Sequence, residues 1–138
     1  MAHCKENKKE FERAAINYNN VIDLAKENPK SLTIEPAEVY HRLGVCYGEI
    51  GWWNKGIVAF AEALNRYKRG KNVVKYAECM NNLGTLYLQA SSLSLAEKCF
   101  IQSYDLKKSL HGKSSTKLLT SLFNIFECNL LTKNYDQA

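Results

Sequence analysis

Residues 40–63 read YHRLGVCYGEIGWWNKGIVAFAEA, and the fold turns on what their four glycines are for. Gly51 and Gly56, so close together, suggest a loop that cradles phosphate. Such a loop needs a lysine and a hydroxyl residue directly after the second glycine, and a buried strand before the first. Here Ile57 and Val58 follow Gly56, and no strand pattern precedes Gly51. The apolar residues instead recur at steps of three and four: Val39, Leu43, Cys46 and Ile50, then Trp53, Ile57, Phe60 and Leu64. That is the spacing of amphipathic helices. Only Gly51 and Trp52 separate the two stripes, so the segment predicts two antiparallel helices joined by a tight turn.

On this reading Gly44 and Gly56 fall where the helices approach most closely, Gly51 makes the turn, and Gly48 has no assigned duty. A glycine inside a helix costs about 1 kcal/mol relative to alanine, so close packing must offset it. Trp53 and Tyr47 are expected as the large partners of the small residues. Pro36 suits the first turn of its helix, and Gly70 and Gly112 suit left-handed caps just past the ends of theirs.

The hairpin recurs. At a lag of 40, Leu43-Gly44 meets Leu83-Gly84, Tyr47 meets Tyr87, Phe60 meets Phe100 and Gly56 meets Ala96. A further lag of 42 carries Asn82 to Asn124, Leu83 to Ile125, Leu93 to Tyr135 and Ala96 to Ala138. The same lag backwards carries Cys46 to Cys4, Trp53 to Phe11, Gly56 to Ala14, Phe60 to Tyr18 and Leu64 to Ile22. A fixed period of this length is the mark of a stacked-repeat architecture.

Tyr40-x-x-Leu43-Gly44-x-x-Tyr47 followed by Gly56-x-x-x-Phe60 and Ala63 resembles the tetratricopeptide repeat. Met80-x-x-Leu83-Gly84-x-x-Tyr87 with Ala96-x-x-x-Phe100 resembles it again. The resemblance implies an all-α, right-handed α-solenoid of antiparallel helix-turn-helix repeats forming a single domain. Residues 1–28 form a partial repeat, 37–70 and 77–112 two full ones, and 119–138 a partial one in which a second helix is just beginning. The period of 40 to 42 is similar to the longer repeats of kinesin light chains. Lys68 and Lys108 stand where the family has a proline, so those helices are expected to run on for a further turn. In the last repeat Phe126 replaces the small residue and Asn129 the tyrosine.

Composition narrows the function. The chain has 138 residues, 46% of them apolar, and a net charge of +5. No apolar run approaches the roughly 20 residues that cross a bilayer, and Met1-Ala-His-Cys-Lys-Glu is not a secretory signal. Cys4, Cys46, Cys79, Cys99 and Cys128 form an odd set without a C-x-x-C pair, which argues against a disulfide framework or a structural zinc. A reducing compartment, the cytoplasm with the nucleus not excluded, fits such cysteines, and Cys4, Cys46 and Cys128 are expected to serve as buried small hydrophobes. His3, His41 and His111 lie apart, with no nucleophile or metal spacing near them. The expectation is a binding protein without enzymatic activity, cofactor or metal.

In stacked hairpins the first helix of each repeat lines the binding surface. The polar side of those helices carries Glu38, His41, Arg42, Val45 and Glu49; then Glu78, Asn81, Asn82, Thr85 and Gln89; then Thr120, Phe123, Asn124 and Glu127. A carboxamide both donates and accepts, so Asn82 and Asn124 can bond the backbone of an extended peptide. The kinesin-light-chain resemblance implies that role for asparagines at this place. Arg42 occupies the same place in the first full repeat and points to a ligand with an acidic group. A carboxylate clamp of the chaperone type is not expected, because that resemblance would want lysine at His41 and asparagine at Val45.

Two other readings compete. Arg66, Lys68, Arg69, Lys71 and Lys75, with Lys107, Lys108, Lys113 and Lys117, form two basic runs near Tyr67, Tyr76 and Tyr104. Such a combination can hold single-stranded nucleic acid, although Glu62, Glu78 and Asp105 interrupt it. Assembly is the other: Leu119, Leu122, Ile125 and Leu130 lack a second helix of their own, so the chain is expected to be a segment of a longer array or to pair its C-terminal helix, 115–132, with another copy. Trp52, whose counterparts are Glu10 and Ser92, is a candidate anchor for a partner.

Overall fold

The computed structural model describes residues 2–28, 30, 35–112 and 117–137. Lys113 and Ala138 lie outside the described residues, and the side chains of His3, Cys4, His111, Lys117, Thr120 and Tyr135 lie outside the described side chains. Six α-helices make up the described chain: α1 (Ala2–Glu27), α2 (Pro36–Ile50), α3 (Trp53–Arg69), α4 (Val73–Gln89), α5 (Leu93–His111) and α6 (Lys117–Gln137). They fall into two compact units, Met1–Gly70 and Lys71–Ala138.

The predicted hairpin is α2 with α3, and its turn has an identifiable geometry. Gly51 takes a left-handed conformation, φ 93°, while Trp52 N–H reaches back to Tyr47 O at 2.9 Å and Gly51 N–H to Gly48 O at 3.2 Å. This pair of bonds satisfies carbonyls that the helix end would leave open. The turn between α4 and α5 repeats it: Ser92 N–H meets Tyr87 O at 2.8 Å, Ser91 N–H meets Leu88 O at 3.1 Å, and Ser91 takes the positive φ, 63°. The geometry recurs at the 40-residue lag even though the glycine does not.

Two helix ends depart from expectation, those of α3 and α6. Gly70 is right-handed, φ −80°; the positive φ falls on Lys71, at 57°. The left-handed residue therefore comes one position later than the glycine suggests. α3 ends at Arg69, directly after Lys68, whereas α5 continues past Lys108 to His111, where Gly112 has φ 82°. α6 runs unbroken through Gln137, so no second helix begins near Tyr135. Lys133 stands 42 residues after Ser91, and an ordinary helix former there leaves the helix no reason to stop.

Each unit has its own core. In the first, Ala15, Leu43, Cys46, Tyr47, Ile50 and Ala59 are buried together, with Phe11, Ala14, Tyr18 and Ile22 packed against them. The α1 stripe at steps of three and four thus seals one side of α2, as α3 seals another. In the second, Ala96, Phe100 and Cys128 are buried together with Tyr87, Leu88, Leu93 and Ile125.

Gly44 makes the close approach expected of it, but with a different partner. A Cβ at Gly44 would lie 2.7 Å from the Phe60 ring, and one at Gly84 2.7 Å from the Phe100 ring. Phe60 and Phe100, not Trp53 and Tyr47, fill the space that glycine leaves. Both rings are buried, and burying one contributes about 2 to 3 kcal/mol.

Candidate functional site

In the second unit, α4 and α6 bring part of the predicted surface together. Asn124 donates through Nδ2 to Asn81 Oδ1 at 3.0 Å, so two carboxamides from different helices, 43 residues apart, meet on a half-buried surface. Asn82 is half-buried beside them. Thr85 turns its hydroxyl back onto Asn81 O at 3.2 Å, and Thr85 and Gln89 are exposed along the same helix. Phe123 is exposed on α6 and Glu127 half-buried. The Asn81–Asn124 bond fixes the two amides while using one donor and one acceptor position, and each carboxamide has others.

In the first unit the predicted residues part company. His41 is only 9% exposed; its Nδ1 lies 3.2 Å from the Tyr67 hydroxyl, and its ring meets Phe60 and Tyr67 edge to face, both at 5.9 Å. It is a core residue, and the reason is its neighbour: Tyr67 is wholly buried and its hydroxyl needs partners, which His41 and Glu38 supply. Tyr67 donates to Glu38 Oε2 at 2.9 Å. Glu38 also accepts from Arg42 Nε at 3.1 Å.

Arg42 remains on the surface, where a hydrogen bond donated to Tyr18 of α1 and then the one donated to Glu38 raise its pKa and hold the guanidinium in the charged form. Val45 and Glu49 are exposed farther along α2. Trp52 is 44% exposed, tilted against Tyr47 at 5.9 Å, with Lys55 Nζ 4.7 Å from its ring.

Four residues of the basic runs are engaged within the protein. Arg66 binds Glu62 at 2.9 Å and lies over the Tyr40 ring at 5.1 Å; Lys75 faces Glu78 at 3.6 Å; Lys107 Nζ reaches Ser121 Oγ at 3.3 Å; Lys108 lies over Tyr104 at 5.9 Å. Tyr67, expected among the stacking aromatics, is buried and cannot stack on a base.

Cys46, Cys79, Cys99 and Cys128 are buried, and none is joined in a disulfide. Burial pushes the Cys99 thiol up to about 11, the opposite of what a nucleophile requires. No group of three His, Cys, Asp or Glu able to hold a metal occurs among the described residues. No helix of the described residues is long and apolar enough to cross a membrane.

One feature escaped the sequence reading. Between α1 and α3, over the face of α2, lies an open recess of about 570 Å³ lined by Asn19, Tyr40, Leu43, Tyr47, Val58 and Glu62, among others. Asn19 Nδ2 donates to the Tyr47 hydroxyl at 2.9 Å across its floor. Its walls come from helices far apart in sequence, so no local pattern announces it.

Antiparallel helix pairs with recurring small-for-large packing and carboxamides on the exposed side define a helical-repeat protein. The chain matches the family model of the tetratricopeptide repeat over residues 35–109, more than half its length, and belongs to that family. Repeats of this family generally mediate protein–protein interaction. The crystal structure of BtubC (BKLC) from P. vanneervenii, a kinesin-light-chain-like repeat protein, is similar, with a TM-score of 0.67 at 18% identity, covering 99% of this chain and 67% of that one. Comparison with curated proteins gives no match.

Proposed function

We propose that the protein is a non-catalytic interaction module that grips an extended peptide or partner segment through the carboxamides of α4 and α6. The observation that carries this is the 3.0 Å bond between Asn124 and Asn81. It orients two amides before a ligand arrives, which reduces the ordering cost of binding. Asn82 extends the polar row, and Thr85, Gln89, Phe123 and Glu127 flank it. Donors and acceptors of this kind match the N–H and C=O groups of a peptide without demanding particular side chains. In the first unit Arg42, at the same repeat place, offers a charged planar group to an acidic side chain or carboxylate; Val45 and Glu49 accompany it, and His41 acts only by supporting Tyr67.

The test compares the wild-type chain with Asn82→Ala plus Asn124→Ala in partner capture and peptide-array binding. The substitutions are expected to reduce recovery by about tenfold or more, the loss of one to two hydrogen bonds at a desolvated contact. Unchanged recovery, with helicity intact by circular dichroism, removes this surface from the function.

A further inference from the structure

α6 has two apolar faces. Leu118, Ser121 and Cys128 are buried on the side that meets α5, where Cys128 Sγ reaches Leu93 O at 3.2 Å and Lys107 bonds Ser121. On the opposite side Leu119, Phe123, Phe126 and Leu130 follow one another at steps of four, three and four, with Leu122 alongside. They are 65%, 59%, 59%, 46% and 45% exposed respectively. A surface helix normally keeps this face polar. Leu and Phe side chains so exposed present about 500 Å² of apolar surface, toward the upper end of the largest patch found on monomeric proteins.

The face is not shaped for another hairpin helix in the register that α3 uses on α2 and α5 on α4. There Gly44 and Gly84 admit the Phe60 and Phe100 rings, with no room for even a Cβ. At the same repeat place α6 carries Phe126, whose ring holds an incoming helix away. We infer that the occupant is the same face of a second copy, in an antiparallel α6–α6 pair about a two-fold axis.

Steps of four and three are the seam spacing of paired helices. An axis passing between residues 124 and 125 sets Leu119 against Leu130 of the other copy, and Phe123 against Phe126 of the other copy. The contact is therefore self-complementary, as an isologous interface requires. Two such faces bury about 1,000 Å², the lower bound for a specific interface, which suits a dimer that forms in the micromolar range. This inference is independent of the peptide reading, and because Phe123 borders both surfaces the test leaves it intact.

The experiment is sedimentation equilibrium of the full chain up to about 200 µM. The wild type is expected to dimerise. Leu119→Lys and Leu130→Glu, each at an exposed position, are expected to be monomeric alone, with dissociation constants raised at least about tenfold by burying an unpaired charge. Mixed in equal amounts they are expected to dimerise again, because antiparallel pairing sets the introduced lysine against the introduced glutamate while the other end keeps leucine on leucine.

A wild type that stays monomeric at the highest concentration overturns the inference, as does a dimer that both variants leave intact. A mixture that stays monomeric overturns the antiparallel two-fold arrangement. Circular dichroism verifies the fold of each variant, and Leu119→Gln with Leu130→Gln replaces any that loses helicity, with weakened dimerisation again expected and an unchanged dimer again contrary.

Discussion

Gly44 and Gly84 each sit under a buried phenyl ring, and the ring cannot retreat. Alanine at either place gains about 1 kcal/mol of helix propensity, but its Cβ, 2.7 Å from the ring, forces overpacking that costs about 1 to 3 kcal/mol. Gly44→Ala is therefore expected to destabilise the protein by about 1 kcal/mol in urea denaturation, reading both terms at mid-range. In a Phe60→Leu background the same change is expected to be neutral or stabilising, since the smaller side chain yields. Additive effects would show that the ring does not set the requirement. The residues that sequence alone placed best are those like Gly44, whose small size recurs at a fixed lag. His41 was misplaced because helical periodicity counts it as surface, whereas its depth is set by Tyr67, 26 residues away and in another helix. Asn81 and Asn124 each fall on the polar side of their helices in the sequence pattern, yet their mutual bond depends on how α4 and α6 cross, which no local pattern encodes.

At the scale of the element, the turns show which part of the repeat is written in residue type and which in geometry. Gly51 and Ser91 close the same kind of turn with positive φ, but only glycine adopts it without strain. Lys71 bears the same burden after α3. Replacing Ser91 or Lys71 by glycine removes about 1 to 2 kcal/mol of left-handed strain and forfeits about 0.4 to 1 kcal/mol to the freer unfolded chain. Ser91→Gly and Lys71→Gly are each expected to raise stability by about 0.5 kcal/mol, whereas Gly51→Ala lowers it by about 1 kcal/mol. Thermal melts of the three variants check this, and a loss at Ser91→Gly would mean that its side chain matters more than its φ. The helices themselves were legible because their apolar steps run for four turns. Their ends were not: Gly70 looks like a cap and is one residue early, and α6 continues because Lys133 gives no signal to stop. The short, polar ends of helices carry less information than their buried stripes.

Across the whole molecule, part of the net charge of +5 is matched locally, since Arg66 and Lys75 pair with carboxylates. The more consequential ionisable groups are interior ones, and in both units they shift in one direction. Burial, and then Glu49, raises the Cys46 thiol; burial, and then Glu97, raises Cys128; burial raises Tyr87, with Cys99 adding to it; and Cys99 is pushed by burial up to about 11. Each of these groups is neutral when protonated, so the unfolded chain, with ordinary thiols near pH 8.5, releases its protons first. The stabilisation is complete below that range and is lost as pH rises through the folded values. The urea midpoint is expected to be flat from neutrality to about pH 8.5 and to fall between about pH 9 and 11. The fall is expected to be shallower in Cys99→Ala, which removes the most shifted thiol whatever the substitution does to absolute stability. A midpoint that rises over that interval, or a slope that Cys99→Ala leaves unchanged, would show that the buried thiols do not govern the alkaline limit.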